Sequence, residues 1–477
     1  MSELNQLQAV AYDAIIHKQN VFLTGEAGTG KSYVLQQIMQ AFDNKGINYY
    51  VTAPTGIAAL NVNGITLHRF LKISPKENLL RSPDIEQQDK INELFNSEHH
   101  ILIVDEISMC SSALFNYLIT ALHRAEKTND IKIQVILVGD FSQLPPVVRH
   151  NSIEERLMNE QLGGCYAFQT KAWKQLNLQT IILKDIIRQS ESEFKTALNQ
   201  IRHGNPEGIA YINEHANPHS IHDAITLCGT NKTAQKINHD RIAEVEAKAY
   251  TFTAATHGYF AKNNRPTYDN IEVKVGARVM TIVNGCDPEG NEFVNGSMGT
   301  VTKVQVPLKK KLKHDFEAPY ALKNDEDKSQ PHILIQLDNG PEITIGWHTW
   351  NLYKYVSDGH SISKELVGSF TQLPIKLAYA ITIHKSQGQT YDHINFDPQI
   401  FADGQCYVGL SRVRTIEGLH LIKPLTESMI RANDCVTDFY NDVHDNQEKL
   451  VQDYLKRQEA LKHIDQNIDE DLPDLPF

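Results

Sequence analysis

Gly25-Glu26-Ala27-Gly28-Thr29-Gly30-Lys31-Ser32 has the spacing G-x-x-x-x-G-K-[ST] and stands between an apolar run and a helical pattern. That is the context a phosphate-binding loop requires. Glycine lets such a loop curl until backbone N–H groups converge on the β- and γ-phosphates, and the positive end of the following helix adds to the attraction. In that role the Lys31 ammonium neutralises phosphate charge and the Ser32 hydroxyl joins the shell of a magnesium ion. The chemistry expected is hydrolysis of ATP with Mg2+.

Ile101-Leu102-Ile103-Val104-Asp105-Glu106 supplies a second group, an apolar strand pattern that delivers two carboxylates to the sheet edge where a phosphate loop sits. Asp105 is expected to hold Mg2+ through water and Glu106 to polarise the attacking water as general base. An acid pair after a strand is common and on its own reads equally as a solvated strand end. Beside the phosphate loop it reads as the other half of a hydrolytic site. In Val138-Gly139-Asp140-Phe141-Ser142-Gln143-Leu144-Pro145-Pro146, Gln143 is placed to hydrogen-bond the γ-phosphate and register its loss, on a loop that the prolines stiffen. The bland alternative is a capped turn with Gln143 in solvent. Charge building up on phosphoryl oxygens calls for an arginine from a neighbouring domain. The candidates are Arg188, in Leu183-Lys184-Asp185-Ile186-Ile187-Arg188-Gln189, and Arg412, in Tyr407-Val408-Gly409-Leu410-Ser411-Arg412. Singly, either is more often a surface ion pair.

The elements that must position these groups are legible as apolar runs at 21–24, 49–53, 101–104 and 135–138. Apolar on both faces and separated by helical patterns, they predict buried parallel strands of a doubly wound α/β sheet. Residues 74–96 are polar, break the alternation and read as a small excursion. A second set of runs at 224–227, 377–382, 393–396 and 419–422 predicts a second α/β domain. From about 275 to 355 the pattern changes to short runs at 279–283, 299–306, 332–337 and 342–345 between Asn-Gly turn signals, which predicts an inserted small β-barrel. Lys309, Lys310, Lys311 and Lys313, soon followed by Asn324-Asp325-Glu326-Asp327, read as a solvated loop of that insertion rather than a nucleic-acid contact. The expected division is 1–180 for the first domain, with the excursion at about 71–96, then 181–274 and 359–430 for the second domain. The barrel takes 275–358, and 431–477 a C-terminal helix and acidic tail.

A chain of 477 residues exceeds one ordinary core. With 41% hydrophobic and 22% charged residues and no apolar run of membrane-span length, a membrane protein is not expected. Residues 1–10 lack the basic and apolar parts of a signal peptide, so the cytoplasm, or the nucleoid of a bacterium, is the expected location. The six cysteines form no C-x-x-C pair and the 21 histidines no spaced cluster, which argues against a zinc site and a disulfide framework. The net charge of −12 argues against general affinity for polyanions, so a nucleic-acid groove must be locally basic.

With these motifs in this order the chain resembles the superfamily 1B DNA helicases, and within them the Pif-type group, with Dda and RecD as relatives. The resemblance runs over roughly residues 4–422. It starts at residues 4–8, where Gln8 matches the adenine-reading Q motif, and passes through the phosphate loop, Ala53-Pro54-Thr55-Gly56 and Gly64-Ile65-Thr66-Leu67-His68. It continues through Asp105-Glu106, residues 139–146, Arg188, Cys228-Gly229-Thr230-Asn231, Thr382-Ile383-His384-Lys385-Ser386-Gln387-Gly388-Gln389-Thr390 and residues 407–414. The resemblance implies two tandem RecA-like P-loop domains, a small 1B wedge insertion and an SH3-like 2B barrel. It implies an ATP-dependent DNA helicase that moves 5′ to 3′ on single-stranded DNA and unwinds forked duplex DNA for replication, recombination or repair, with Mg2+; a monomer is the separate expectation. Thr55, Thr66, His68 and His384 match positions that touch the DNA strand, and Gly388 and Arg412 match positions near the γ-phosphate. Phe70, Trp347 and Trp350 are candidates for stacking on bases, although a core role is the stronger reading of each. Two other readings share these motifs: a DNA-stimulated ATPase translocase that displaces bound proteins without productive unwinding, and a nucleotide-regulated DNA-binding module. Lys31, Asp105, Glu106 and Arg412 speak against the second. RNA as the track stays open, because backbone and stacking contacts discriminate poorly without 2′-OH readout.

The chain ends Asp469-Glu470-Asp471-Leu472-Pro473-Asp474-Leu475-Pro476-Phe477. Acids followed by an apolar-Pro-Phe terminus resemble the tip of bacterial single-stranded-DNA-binding proteins. The resemblance implies docking on replication or repair proteins or competition for the chain's own DNA groove, and the bland alternative is a solvated tail.

Overall fold

The structure, a computed structural model, describes residues 4–457 apart from 74–78, 96–99, 149–150, 186–190, 263–264, 284, 294–295, 307–330, 339, 358–361, 444–446 and 449. The chain divides into two units. One comprises residues 1–190, 202–204 and 432–477, the other 191–201 and 205–431. Among the described residues no helix is long and apolar enough to cross a membrane. The basic cluster at 309–313, Arg188 and the acidic tip lie outside the described residues.

The first unit is built on six strands: β1 (Val21–Gly25), β2 (Tyr50–Ala53), β3 (Ile65–Thr66), β4 (Ile101–Val104), β5 (Gln134–Val138) and β6 (Gln179–Leu183). They pair in the order β3-β2-β4-β5-β1-β6 and every pair is parallel. Side chains alternate across a strand, and β1 shows why the runs are apolar throughout. Val21 and Leu23 pack in one cluster with α1 (Gln6–Ile16) and α2 (Lys31–Asn44). Phe22, between them, meets Phe141, Trp173 and Phe439 instead. Two of the six strands escape a reading by apolar runs. β3 has only two residues, and β6 opens on Gln179-Thr180, which are half-exposed.

The polar excursion contains a helix, Ile85–Leu94, started by a capping box between Asp84 and Gln87. Its face Gln88, Ile91 and Leu94 is buried. Gln88 Nε2 donates to the Ala121 carbonyl at 3.0 Å and Tyr117 Oη donates to Gln87 Oε1 at 2.6 Å, which seats it on the helix Ser112–Asn129. Phe70 is 1% exposed among the rings of Tyr50 and Phe95, a core position.

The second unit holds a four-stranded parallel sheet in the order Ala380–Thr382, Ile225–Cys228, Ile394–Phe396, Leu419–Leu421. It also holds a five-stranded antiparallel sheet in the order Glu342–Ile345, His332–Leu337, Met298–Gln305, Arg278–Thr281, Ile375–Leu377. The run 377–382, expected as one strand, is divided between the two sheets. The Asn238 side chain causes the break: its Oδ1 accepts from the N–H groups of Tyr379 and Ala380, and its Nδ2 donates to the Ala380 carbonyl. A long hairpin, His348–Ser357 with Ile362–Gln372, was not among the expected strands. Trp350 is buried against Phe370, and Trp347 packs against the core beside Phe252.

Candidate functional site

In the first unit five consecutive strands of the sheet end at one edge, and each delivers part of the expected machinery. The adjacent strands β4, β5 and β1 are followed by Asp105-Glu106, by residues 139–146 and by the phosphate loop. The next two strands, β2 and β3, lead into Thr55 and into Thr66 and His68. The C-terminal ends of parallel strands are where such sheets bind ligands.

The phosphate loop takes its shape from three glycines at positive φ: Gly25 at 144°, Gly28 at 84° and Gly30 at 88°. At Gly25 a Cβ would also stand 2.5 Å from the Leu183 carbonyl oxygen, so β6 packs too closely for any side chain. Gly30 caps α2, which begins at Lys31 and Ser32. Lys31 Nζ donates to the carbonyls of Gly25 at 2.8 Å and Glu26 at 3.0 Å, drawing the ammonium across the loop. Thr29 turns the loop back, its N–H and hydroxyl both donating to the Glu26 carbonyl. Ala27 is buried. Gln8 is 2% exposed and joined to the loop, with Nε2 donating to the Thr29 carbonyl at 3.4 Å while Oε1 accepts from the Asn5 N–H at 3.1 Å. In this arrangement the amide braces the loop against the cap of α1.

Asp105 is buried, and its Oδ1 accepts from the Glu106 N–H at 2.9 Å. Burial, reinforced by the Glu106 charge, pushes its carboxyl up to about 7, against the pull of that hydrogen bond and of the Lys31 ammonium. Glu106 stands at φ 50°, ψ 43°, a left-handed conformation that side chains other than glycine seldom adopt. The loop after β5 presses on this turn, because a Cβ at Gly139 would lie 2.9 Å from the Ile107 nitrogen. Gln143 is 6% exposed rather than in solvent, and its Nε2 donates to Asp140 Oδ2 at 3.4 Å.

Thr55 and Thr66 both cap short helices, the Thr55 hydroxyl accepting from the Ala58 N–H and the Thr66 hydroxyl from the Arg69 N–H. Burial lowers the His68 imidazole below its ordinary value, which keeps it neutral at pH 7. In the second unit the His384 imidazole is lowered by burial too, and its ring lies near-parallel to that of exposed Phe401 with centroids 6.5 Å apart. Gly388 has φ 78° and is exposed. Arg412 is 1% exposed, with Nε donating to the Val408 carbonyl at 2.8 Å.

Three residues of the site edge carried no expectation. Asp140 is fully buried, and its carboxylate gathers Ser142, Gln143, Arg202 and Tyr440. Burial alone would raise that carboxyl, but the Arg202 and Lys31 charges with the Arg202 and Ser142 hydrogen bonds hold it below the ordinary carboxylate range. Tyr440 lies 300 positions away in sequence, and no local pattern marks either partner.

The oxygen donors Ser32 and Asp105 are the hard ligands Mg2+ selects, and the positive φ of Gly25, Gly28 and Gly30 gives the loop a curl that favours glycine. A family model described as PIF1-like helicase matches residues 3–208. An ATP-dependent DNA helicase Pif1 from Psychrobacter is 31% identical over 462 residues, covering 87% of this chain and 67% of that relative. A Bacteroides Pif1 structure in complex with ADP-AlF4 aligns with TM-score 0.72 and 30% identity over 93% of this chain and 97% of that one. The Bacteroides Pif1 bound to single-stranded DNA aligns with TM-score 0.62 and 30% identity over the same shares. With strand order, loop geometry and sequence in agreement, the chain belongs to the PIF1-like helicase family.

Proposed function

We propose that the chain is an ATP-dependent DNA helicase that moves 5′ to 3′ along single-stranded DNA and separates the duplex ahead of it. One observation carries the reading: nucleotide elements on β4, β5 and β1 stand at the same sheet edge as Thr55, Thr66 and His68 beyond β2 and β3. With neighbouring strands about 4.8 Å apart, β2 and β3 lie roughly 14–19 Å across the same sheet from β1, and β2 is next to β4. The Psychrobacter relative named as an ATP-dependent DNA helicase, and the Bacteroides Pif1 crystallised with ADP-AlF4 and with single-stranded DNA, support it.

In this reading the loop N–H groups and Lys31 hold the ATP phosphates, while Ser32 and, through water, Asp105 hold Mg2+. Held by these residues, Mg2+ would supply neutralisation of the phosphate charge. Glu106 orients and deprotonates the attacking water, and Gln143 senses the γ-phosphate. Arg412 and Arg188 are the arginines assigned to transition-state charge, and Gly388 to the same region. Thr55, Thr66, His68 and His384 grip the strand. Single-stranded and forked DNA are the substrates, and the five-stranded antiparallel sheet serves as the SH3-like 2B element. The acidic tip is proposed to dock on replication or repair proteins.

The reading requires ATP hydrolysis stimulated by single-stranded DNA, lost in Lys31→Ala and on chelation of Mg2+. Hydrolysis at the same rate with and without DNA would contradict it.

A further inference from the structure

We infer that Tyr440, on the helix Asp434–Val443, is a positioning residue for Gln143, acting with Arg202 through the Asp140 carboxylate. The inference rests on the reading of Gln143 as γ-phosphate sensor.

Asp140 Oδ1 accepts from the Ser142 N–H at 3.1 Å, from Arg202 Nη2 at 3.0 Å and from Tyr440 Oη at 3.1 Å. Its Oδ2 accepts from Gln143 Nε2, and its carbonyl from the Gln143 N–H at 3.0 Å. Asp140 therefore holds the sensor twice, its carbonyl on the Gln143 N–H and its carboxylate on the Gln143 amide. Tyr440 Oη also accepts from the Phe141 N–H at 3.0 Å and lies 2.8 Å from Thr24 Oγ1. A phenol has one proton, and that proton goes to the carboxylate, so Thr24 must be the donor in the last bond. Thr24 directly precedes Gly25, the first residue of the phosphate loop. A single hydroxyl thus ties the root of the phosphate loop on β1 to the root of the sensor loop on β5, its neighbour in the sheet.

Thr24 and Asp140 are 0% exposed and Tyr440 5%, which leaves no room for solvent to stand in for a lost partner. The Arg202 guanidinium lies over the Tyr440 ring, 5.2 Å from its centroid, and completes the enclosure. Both partners occupy telling places in the chain. Arg202 follows directly on Ile201 of the second unit, and Tyr440 is on the first helix after the chain re-enters the first unit at Ala432. Both residues thus reach the Asp140 carboxylate from places in the chain next to a change of unit.

Tyr440→Phe removes the hydroxyl and keeps the ring beneath Arg202 and beside Phe439. The measurement is DNA-stimulated ATP hydrolysis per binding-competent molecule, counted by stoichiometric titration with single-stranded DNA, for wild type, Tyr440→Phe, Gln143→Ala and the double variant. We expect kcat to fall about tenfold in Tyr440→Phe with KM for ATP within about twofold, because the phosphate loop keeps its own Lys31 and Thr29 bonds while Gln143 loses its support. The double variant should be no slower than Gln143→Ala. A wild-type kcat in Tyr440→Phe, with or without a lower thermal midpoint, overturns the inference, as do losses that multiply in the double variant. Gln143→Ala at the wild-type rate would remove the sensor reading and the inference with it; Gln143→Ala slow beside Tyr440→Phe at the wild-type rate removes the inference alone.

Discussion

The backbone at Glu106 bears on the chemistry as much as its carboxylate does. A left-handed residue with a side chain costs roughly 1–2 kcal/mol relative to the right-handed form, and the surroundings hold it there. The Glu106 N–H is taken by Asp105 Oδ1, and the next residue is pinned beneath Gly139. In the proposed reading Asp105 holds the cation and Glu106, on this turn, handles the water. Glu106→Gln, which keeps the backbone and the volume, should lower DNA-stimulated ATP hydrolysis by about 10²–10⁴-fold. Binding of a fluorescent ATP analogue should remain within a few-fold of wild type. A variant that hydrolyses ATP normally would reassign the base.

At the scale of elements, the C-terminal segment is structural to the first unit. Phe439 stacks on Phe168 with centroids 4.3 Å apart and meets Phe22, Phe141 and Trp173. Beyond it, the Gln447 amide donates to the Ile182 carbonyl at 3.0 Å and accepts from the Ile182 N–H at 3.2 Å, acting as a one-residue partner for the edge strand β6. Gln447 is 6% exposed, so Gln447→Ala should destabilise the first unit by about 1–3 kcal/mol. Denaturant unfolding measures the loss, and hydrogen exchange at the Ile182 amide should accelerate with it; slow exchange in the variant would contradict the pairing. These elements also show what the sequence could disclose. β1, β2, β4 and β5 are apolar on both faces, and the loops after β1, β4 and β5 carry contiguous motifs, so that part of the fold and site was legible. β3 is too short to show a period, β6 opens polar, and the run 377–382 is cut by an amide on another element. Asp140, Arg202 and Tyr440 meet only through tertiary folding, and each residue type has many ordinary uses.

For the whole molecule, a net charge of −12 argues against general affinity for polyanions and leaves DNA binding to locally placed residues. Thr55, Thr66 and His68 beyond β2 and β3, and His384 in the second unit, are such residues. In the proposed reading they grip the strand without reading its sequence, as a motor on arbitrary DNA requires. The direct measurement is strand separation of a duplex bearing either a 5′ or a 3′ single-stranded overhang, with ATP and Mg2+ and with Lys31→Ala as the blank. The account predicts separation from the 5′ overhang alone, abolished in the blank. Separation from the 3′ overhang would contradict the polarity, and hydrolysis with no separation from either end would contradict the helicase and leave a translocase.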